Sequence, residues 1–297
     1  MSRKWKKLLS PGQLFLDLIM LLLALTMVIP LLNILAKSFS DPALSPSMSG
    51  LRVIPAGFST VNYEIVFSNK VILPSLWNSV FITLVGTLIN ILLTTSAAYV
   101  LIQPKLMFKK TIMTFLIIMM LFDPGLVPEY LLVKQLGLIG SQWSVILVTA
   151  VNVYYLIIMM RYFQAIPMDI YEAARIDGAG HIRMLGSMVF PLAKSGIATI
   201  TMFYAVVRWN EYFKASIYLT EKAKTTLQVI LRQFVVLGDT VSLIGAQNVM
   251  DYNELARIDY GALKAATIVI AIVPILLLYP VVLKFYTKDV MAGSVKE

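Results

Sequence analysis

The sequence has no cysteine, a single histidine, and charged side chains at only 14% of its 297 positions, against roughly 25% in an ordinary soluble domain. The missing cysteines exclude disulfides, thiol catalysis and Cys-ligated zinc, and leave the redox compartment open. His181 has no second His or Cys with which to share a metal, so no metal site is expected and the residue reads as a surface or partner contact. The scarcity of charge excludes a soluble globular protein. No G-x-x-x-x-G-K-[ST] run occurs, so the phosphate cradle of a nucleotide hydrolase is missing. Clustered acids or histidines at one depth, which an integral-membrane enzyme would need, are missing too. There is no low-complexity run and no convincing repeat. The word Ala174-Arg175-Ile176-Asp177 returns at 256–259, but the expected topology puts the copies on opposite sides of a membrane.

What is present is hydrocarbon: 59% of residues are hydrophobic. A helical crossing takes about 20 apolar residues, and apolar runs at 14–35, 76–102, 111–132, 143–162, 192–212 and 263–285 predict an all-α integral membrane protein with six transmembrane helices. The first run follows Arg3, Lys4, Lys6 and Lys7 as a signal peptide would. It exceeds the roughly 7–15 residues of a signal core and lacks a small-residue cleavage site, so it is expected to remain as a helix. The net charge of +9 fits basic cytoplasmic loops better than nucleic-acid binding. Lys105, Lys109 and Lys110 follow the second run, Arg161, Arg175, Arg183 and Lys194 lie from the end of the fourth to the start of the fifth, and Lys284 and Lys288 lie at and beyond the end of the sixth. An even number of crossings puts all of these on one side. Both tails, 1–13 and 286–297, are therefore expected on the cytoplasmic side of a multi-pass membrane protein.

One cytoplasmic stretch, 166–191, is as long as a crossing but too charged to be one, and it predicts two short helices. Pro167 suits a first helical position, Asp169 sits at the positive end of the dipole, and Gly178 supplies a left-handed stop. Residues 180–189 form the second helix, with Pro191 ending it at the next crossing. Ile170, Ala173 and Ala174 are expected on one face, with Ile176 at its margin. Composition alone leaves two readings: an amphipathic hairpin lying on the lipid bilayer, with Arg175 and Arg183 facing anionic headgroups, or a docking surface for a cytosolic partner.

The spacing Glu172-Ala173-Ala174, Gly178, then Met188-Val189-Phe190-Pro191 resembles the EAA signature of permease subunits of ATP-binding-cassette importers. Met188 and Phe190 stand where that family usually has Ile and Leu. The words Ile166-Pro167, Ala174 to Ala179, Asn62-Tyr63, Trp77-Asn78-Ser79 and Trp209-Asn210-Glu211 are similar to the carbohydrate branch, relatives of the second maltose-transporter permease. So is the tail from Met291 to Lys296. The resemblance implies a coupling helix seated in a cleft of a cytosolic ATPase. Glu172 would contact a cationic or hydrogen-bonding group there, Ala173 and Ala174 would allow close approach, Gly178 would set the bend, and Asp177 and Pro191 would complete the segment. Met291, Gly293 and Lys296 in the tail would reach the ATPase pair. The implied partners are two ATPase copies, a second homologous permease and an external solute-binding lipoprotein or periplasmic protein. ATP and Mg would be bound by the ATPase and no cofactor by this chain. The implied function is half of an import pathway for an oligosaccharide or related carbohydrate. Import of a non-sugar solute is the alternative, and a secondary transporter, which would show inverted repeats and paired broken helices, a more distant one.

Polar residues inside the runs are candidates for lining that pathway, because an unpaired amide in hydrocarbon is unfavourable by a few kcal/mol. They are Asn78, Asn90, Asn152, Asn210, Glu211, and Asp123 beside Pro124-Gly125. Tyr204 and Trp209 add aromatic faces suited to stacking on sugars. Each has a plainer reading: intramembrane Asn residues join helices by hydrogen bonds, aromatics form interfacial belts, and Asp123 and Glu211 lie near the outer surface in water.

Overall fold

The computed structural model describes residues 11–238 and 259–293. Among these the structure is helical, with one isolated bridge between Ser40 and Phe58 and no named strand. The chain divides into two compact units, 1–73 with 233–273 and 74–232 with 274–297. Residues 1–10, 239–258 and Lys296 lie outside the described residues, so the N-terminal tail, most of the repeated word at 256–259 and one of the tail positions do as well.

In the first unit, α1 (Pro11–Ser38) is apolar all round, and none of its most hydrophobic 18-residue window is buried. A helix of that kind is stable only in lipid or against another apolar surface. Its last carbonyls are capped from a distance. Asn62, in α2 (Val61–Ser68), donates to the carbonyls of Ser38 and Ser40 at 3.1 and 2.8 Å, and the Tyr63 hydroxyl lies 2.8 Å from Ser38 Oγ. The same end holds the start of the last helix. Asp259 accepts from the amides of Gly261 and Ala262 at 2.8 and 3.2 Å, an N-cap arrangement, and from Ser45 Oγ at 2.6 Å, with Lys37 Nζ 3.6 Å away. Burial pushes this carboxyl up, but the Ser45 hydrogen bond, the two amides and Lys37 outweigh it and hold it below the usual carboxylate value.

In the second unit, α3 (Ile72–Ile102) is one unbroken helix. The runs expected as the third and fourth crossings are not. The third is α4 (Lys109–Leu121) and α5 (Leu126–Gln135), bent by 113°; the fourth is α6 (Gln142–Val148) and α7 (Val153–Gln164), bent by 53°. The charged stretch 166–191 contributes α8 (Met168–Ile176) and α9 (His181–Leu192), and α10 (Lys194–Trp209) leaves α9 at 88°. After α11 (Phe213–Tyr218) and α12 (Leu227–Val236), the long α13 (Tyr260–Gly293) continues past 285, so Met291 and Gly293 fall in its last turn. By length and composition three helices could cross a membrane alone, and three bent pairs qualify as pairs.

Each break has a local cause. Between α4 and α5, Pro124 removes an amide, Gly125 adopts φ +82°, and the Asp123 carboxylate accepts from the Gly125 amide at 2.9 Å. Asp123 is thus in the break and not in a helix. Asn152 ends the second break by capping α7, accepting from the Tyr155 amide at 3.1 Å. Pro191 does not end α9. Residues 185–189 widen into a π-helical turn in which the Phe190 amide reaches the Leu185 carbonyl, which absorbs the proline, and the chain turns two residues later at Ala193. Broken helices, which the sequence reading expected of a secondary transporter and did not find beyond Asp123-Pro124-Gly125, are therefore present in this chain.

Candidate coupling segment and polar core

α8 ends as its sequence directs. Gly178, at φ +75°, donates to the Arg175 carbonyl and Ala179 to the Ala174 carbonyl at 3.1 and 2.9 Å, a Schellman motif. Pro167 is the N-cap rather than the first helical residue. The face assignment needs correction. Tyr171 and Ala174 point into the molecule, whereas Ala173 is exposed together with Asp169, Glu172 and Ile176. The two alanines of the triplet thus have opposite duties. Ala174 lets α8 sit tightly on the bundle, and Ala173 belongs to a free stripe at spacing i, i+3, i+4, i+7 whose Ile176 is 86% exposed. Asp177, just past the helix, is exposed as well.

The inner face is well anchored. Tyr171 donates to the Phe163 carbonyl at the end of α7 at 3.0 Å. Burial, and the neighbouring Tyr99, push its phenol up to about 12, so it stays a donor at any physiological pH. Tyr99 of α3 meets His181 Nδ1 at 3.0 Å and Met184 Sδ at 3.1 Å, and Arg175 donates to Gln103 Oε1 at 2.7 Å. Tyr171, Ala174, Met184 and Val189 share one buried cluster with Leu156, Phe163 and Ile200. A push on the exposed stripe is therefore carried into α3, α7 and α10 by close packing.

The pathway candidates turn out to hold helix ends. Asn90 is fully buried and donates to the carbonyls of Thr149 and Ala150, both at 2.7 Å. Those carbonyls belong to the α6–α7 break, where no intrahelical amide reaches them. The residue that completes this cap escaped the sequence reading. Arg208, 4% exposed, donates from Nε to Asn90 Oδ1 at 3.0 Å, from Nη1 to Val145 O at 2.5 Å, and from Nη2 to Ile146 O and Thr149 O at 2.6 and 3.1 Å. A guanidinium at the C-terminal end of α6 also meets the negative end of its dipole. Gly86 makes room for it, since a Cβ there would stand 3.0 Å from Arg208 Nε. The signal was available: an arginine inside an apolar run is seldom incidental.

The others follow the same rule. Tyr204 is buried, its hydroxyl accepting from the Asn152 amide at 3.0 Å and lying 2.8 Å from Thr94 Oγ1. Asn78 donates to the carbonyls of Ala223 and Thr225 and accepts from Gln142 at 2.8 Å. Trp209 is buried. Asn210 donates back to the Val206 carbonyl at 2.8 Å, and Glu211 accepts from the Lys214 amide at 3.0 Å. Glu129, within the run 111–132, was also overlooked. It pairs with Lys214 at 2.8 Å and accepts from the Tyr218 hydroxyl at 2.5 Å. Burial and the Glu129 carboxylate push that phenol up.

The described residues thus form an apolar helical bundle with three bent helix pairs and a short helix, α8, that keeps one face free, and comparison with known proteins says what kind of protein this is. No protein-family model matches the sequence. Over 93% of this chain and 95% of the relative, it is 38% identical to the polygalacturonan/rhamnogalacturonan transport system permease protein YtcP of Bacillus subtilis. A bacterial ABC transporter involved in the import of the acidic polysaccharide alginate superposes with a TM-score of 0.84 at 28% identity, covering 93% of this chain and 98% of that one. A second alginate transporter structure, in complex with an alginate pentasaccharide-bound periplasmic protein, shares the fold at 14% identity and a TM-score of 0.55, covering 93% and 96%. The chain belongs to the permease subunits of ATP-binding-cassette transporters, and within them to the carbohydrate-transport branch.

Proposed function

We propose that this permease crosses the bacterial inner membrane six times, counting each bent pair as one crossing, with both termini and the segment 166–191 in the cytoplasm. It forms half of the pathway and pairs with a second homologous permease, and two ATPase copies, which bind ATP and Mg, seat one coupling helix each. The observation that carries this reading is the free stripe of Asp169, Glu172, Ala173 and Ile176 on a helix whose opposite face is locked into the bundle. ATP binding in the partners closes the ATPase pair, α8 and α9 follow as a rigid piece, and the pathway changes the side to which it opens. Shifting that equilibrium from 1:99 to 99:1 takes about 5.5 kcal/mol of differential binding, divided between ATP and a loaded external binding protein. Met291 and Gly293, in the last turn of α13, would reach the same ATPase pair, and Lys296, assigned to the same contact, lies outside the described residues.

The cargo we propose is an oligosaccharide bearing uronic acids, supported by the names of the relatives, polygalacturonan/rhamnogalacturonan and alginate. The pathway candidates act here as a scaffold that keeps the bent crossings intact, so that cargo contacts fall to other side chains of the two permeases. The reading is tested on the assembled importer in proteoliposomes. ATP hydrolysis is expected to rise with a binding protein loaded with an oligogalacturonate, and less with neutral oligosaccharides of equal length. Equal stimulation by both rejects the acidic cargo. If Glu172→Lys leaves ATPase association and uptake intact, α8 is not the coupling helix.

A further inference from the structure

Where α3 ends and the coupling segment turns back, two adjoining cavities have opposite characters. The first, about 380 Å³, is lined by Gln103, Lys105, Leu106, Arg175 and His181. The second, about 390 Å³, shares Gln103 and His181 and continues along Ser96, Tyr99, Val100, Ile182 and Leu185. Two cations lie at one end and an apolar trough at the other, and no acidic side chain lines either cavity. The polar end is held in shape, with Arg175 fixed by Gln103 at 2.7 Å and His181 by Tyr99 at 3.0 Å. From Ile102 back to Ser96 the trough climbs α3 by about 9 Å at 1.5 Å per residue. It carries large apolar side chains left exposed by the described residues, Val100 48% and Ile182 91% exposed.

We propose that these cavities together form a binding site for one anionic phospholipid of the cytoplasmic leaflet. The phosphate lies between Lys105 and Arg175, with the His181 ring beside it, and an acyl chain lies along Val100, Ile182 and Leu185. A free phosphate compound would use only the first cavity, and a zwitterionic lipid would gain little from two cations with no acid nearby. The occupant touches α3, α8 and α9 at once, so it braces the joint through which the coupling helix moves. The inference rests on the proposed cytoplasmic position of 166–191.

The test uses the full importer, with second permease and ATPase pair, and native mass spectrometry of retained lipid. Each basic side chain near an anionic surface contributes roughly a factor of five, so with two of them dioleoylphosphatidylglycerol should be retained about twenty-five-fold more than dioleoylphosphatidylcholine. The double variant K105Q/R175Q should fall to the phosphatidylcholine level, and V100W should lose the lipid with both cations present. Millimolar inorganic phosphate should not displace it. Equal retention of the two lipids by the unmodified importer overturns the proposal, whatever the variants do. So does displacement by phosphate alone, which would mark a free-phosphate site, or retention only after the ATPase is stripped off, which would mark a protein contact. Lys105→Cys in this cysteine-free chain separates the two layers of the argument. Labelling by an impermeant maleimide from the outside overturns the topology, while cytosolic labelling without selective lipid retention overturns the lipid site alone.

Discussion

Two ionised residues show how charge is used in this chain. Arg208 meets four acceptors, one on α3 and three at the end of α6, so removing it takes the guanidinium from the Ile146 carbonyl and the Asn90 amide oxygen in a buried site. Breaking a buried charged network in this way costs about 3–5 kcal/mol. Arg208→Met is therefore expected to lower the thermal midpoint of the purified importer sharply. Arg208→Lys should recover only part of the loss, because three donors on a point charge do not match four acceptors spread around a planar fork; equal midpoints for Lys and Arg would refute this account of the cap. Asp259 works near the surface. Its carboxyl is held below the usual value of about 3.9 in the folded state, so its contribution is complete above that value and is lost as pH falls through the lower, folded one. Comparing Asp259→Asn with the unmodified protein by thermal melts from pH 7 downward should show a gap that is constant near neutrality and closes below about pH 4. A gap that widens with acid would reverse the sign of this assignment.

At the scale of elements, the apolar runs were legible because hydropathy over about 20 residues is a local property. The stop at Gly178 was legible because only a left-handed residue gives that turn. The bends at 122–125 and 149–152 were not, although Pro124 and Asn152 stood in view. Whether such a residue breaks a helix in lipid depends on who satisfies the freed carbonyls, and at the second bend the donors are Asn90 and Arg208, far along the chain. The opposed roles of Ala173 and Ala174 were hidden for a related reason, since periodicity groups neighbours on an arc but does not say which edge of the arc is covered. Ala174→Trp should lower the yield and thermal midpoint of the importer, whereas Ala173→Trp should leave the permease folded and abolish ATPase co-purification. If both variants behave alike, the two faces of α8 are misassigned. At Gly178, where nothing lies within 4 Å of an added Cβ, only the backbone resists substitution. Gly178→Asn should keep most uptake and Gly178→Val lose it, because a left-handed β-branched residue is unfavourable by more than about 1–2 kcal/mol.

For the whole molecule, the absence of buried surface along the core of α1 leaves a full helix for lipid or the second permease to cover. Recovery of folded chain should rise several-fold when that permease is co-expressed, as measured by detergent size-exclusion profiles; unchanged recovery would assign α1 to lipid. The Arg208 cap also bears on how the protein is made. The arginine emerges 62 residues after Ile146, whose carbonyl it holds, a delay of about 3–12 s at 5–20 residues per second. Throughout that interval the Ile146 carbonyl at the end of α6 lacks the guanidinium that holds it in the finished structure, so the bent α6–α7 pair is not yet braced in its final shape. The brace is completed only when α10 arrives, which makes α6, α7 and α10 a single unit of biogenesis.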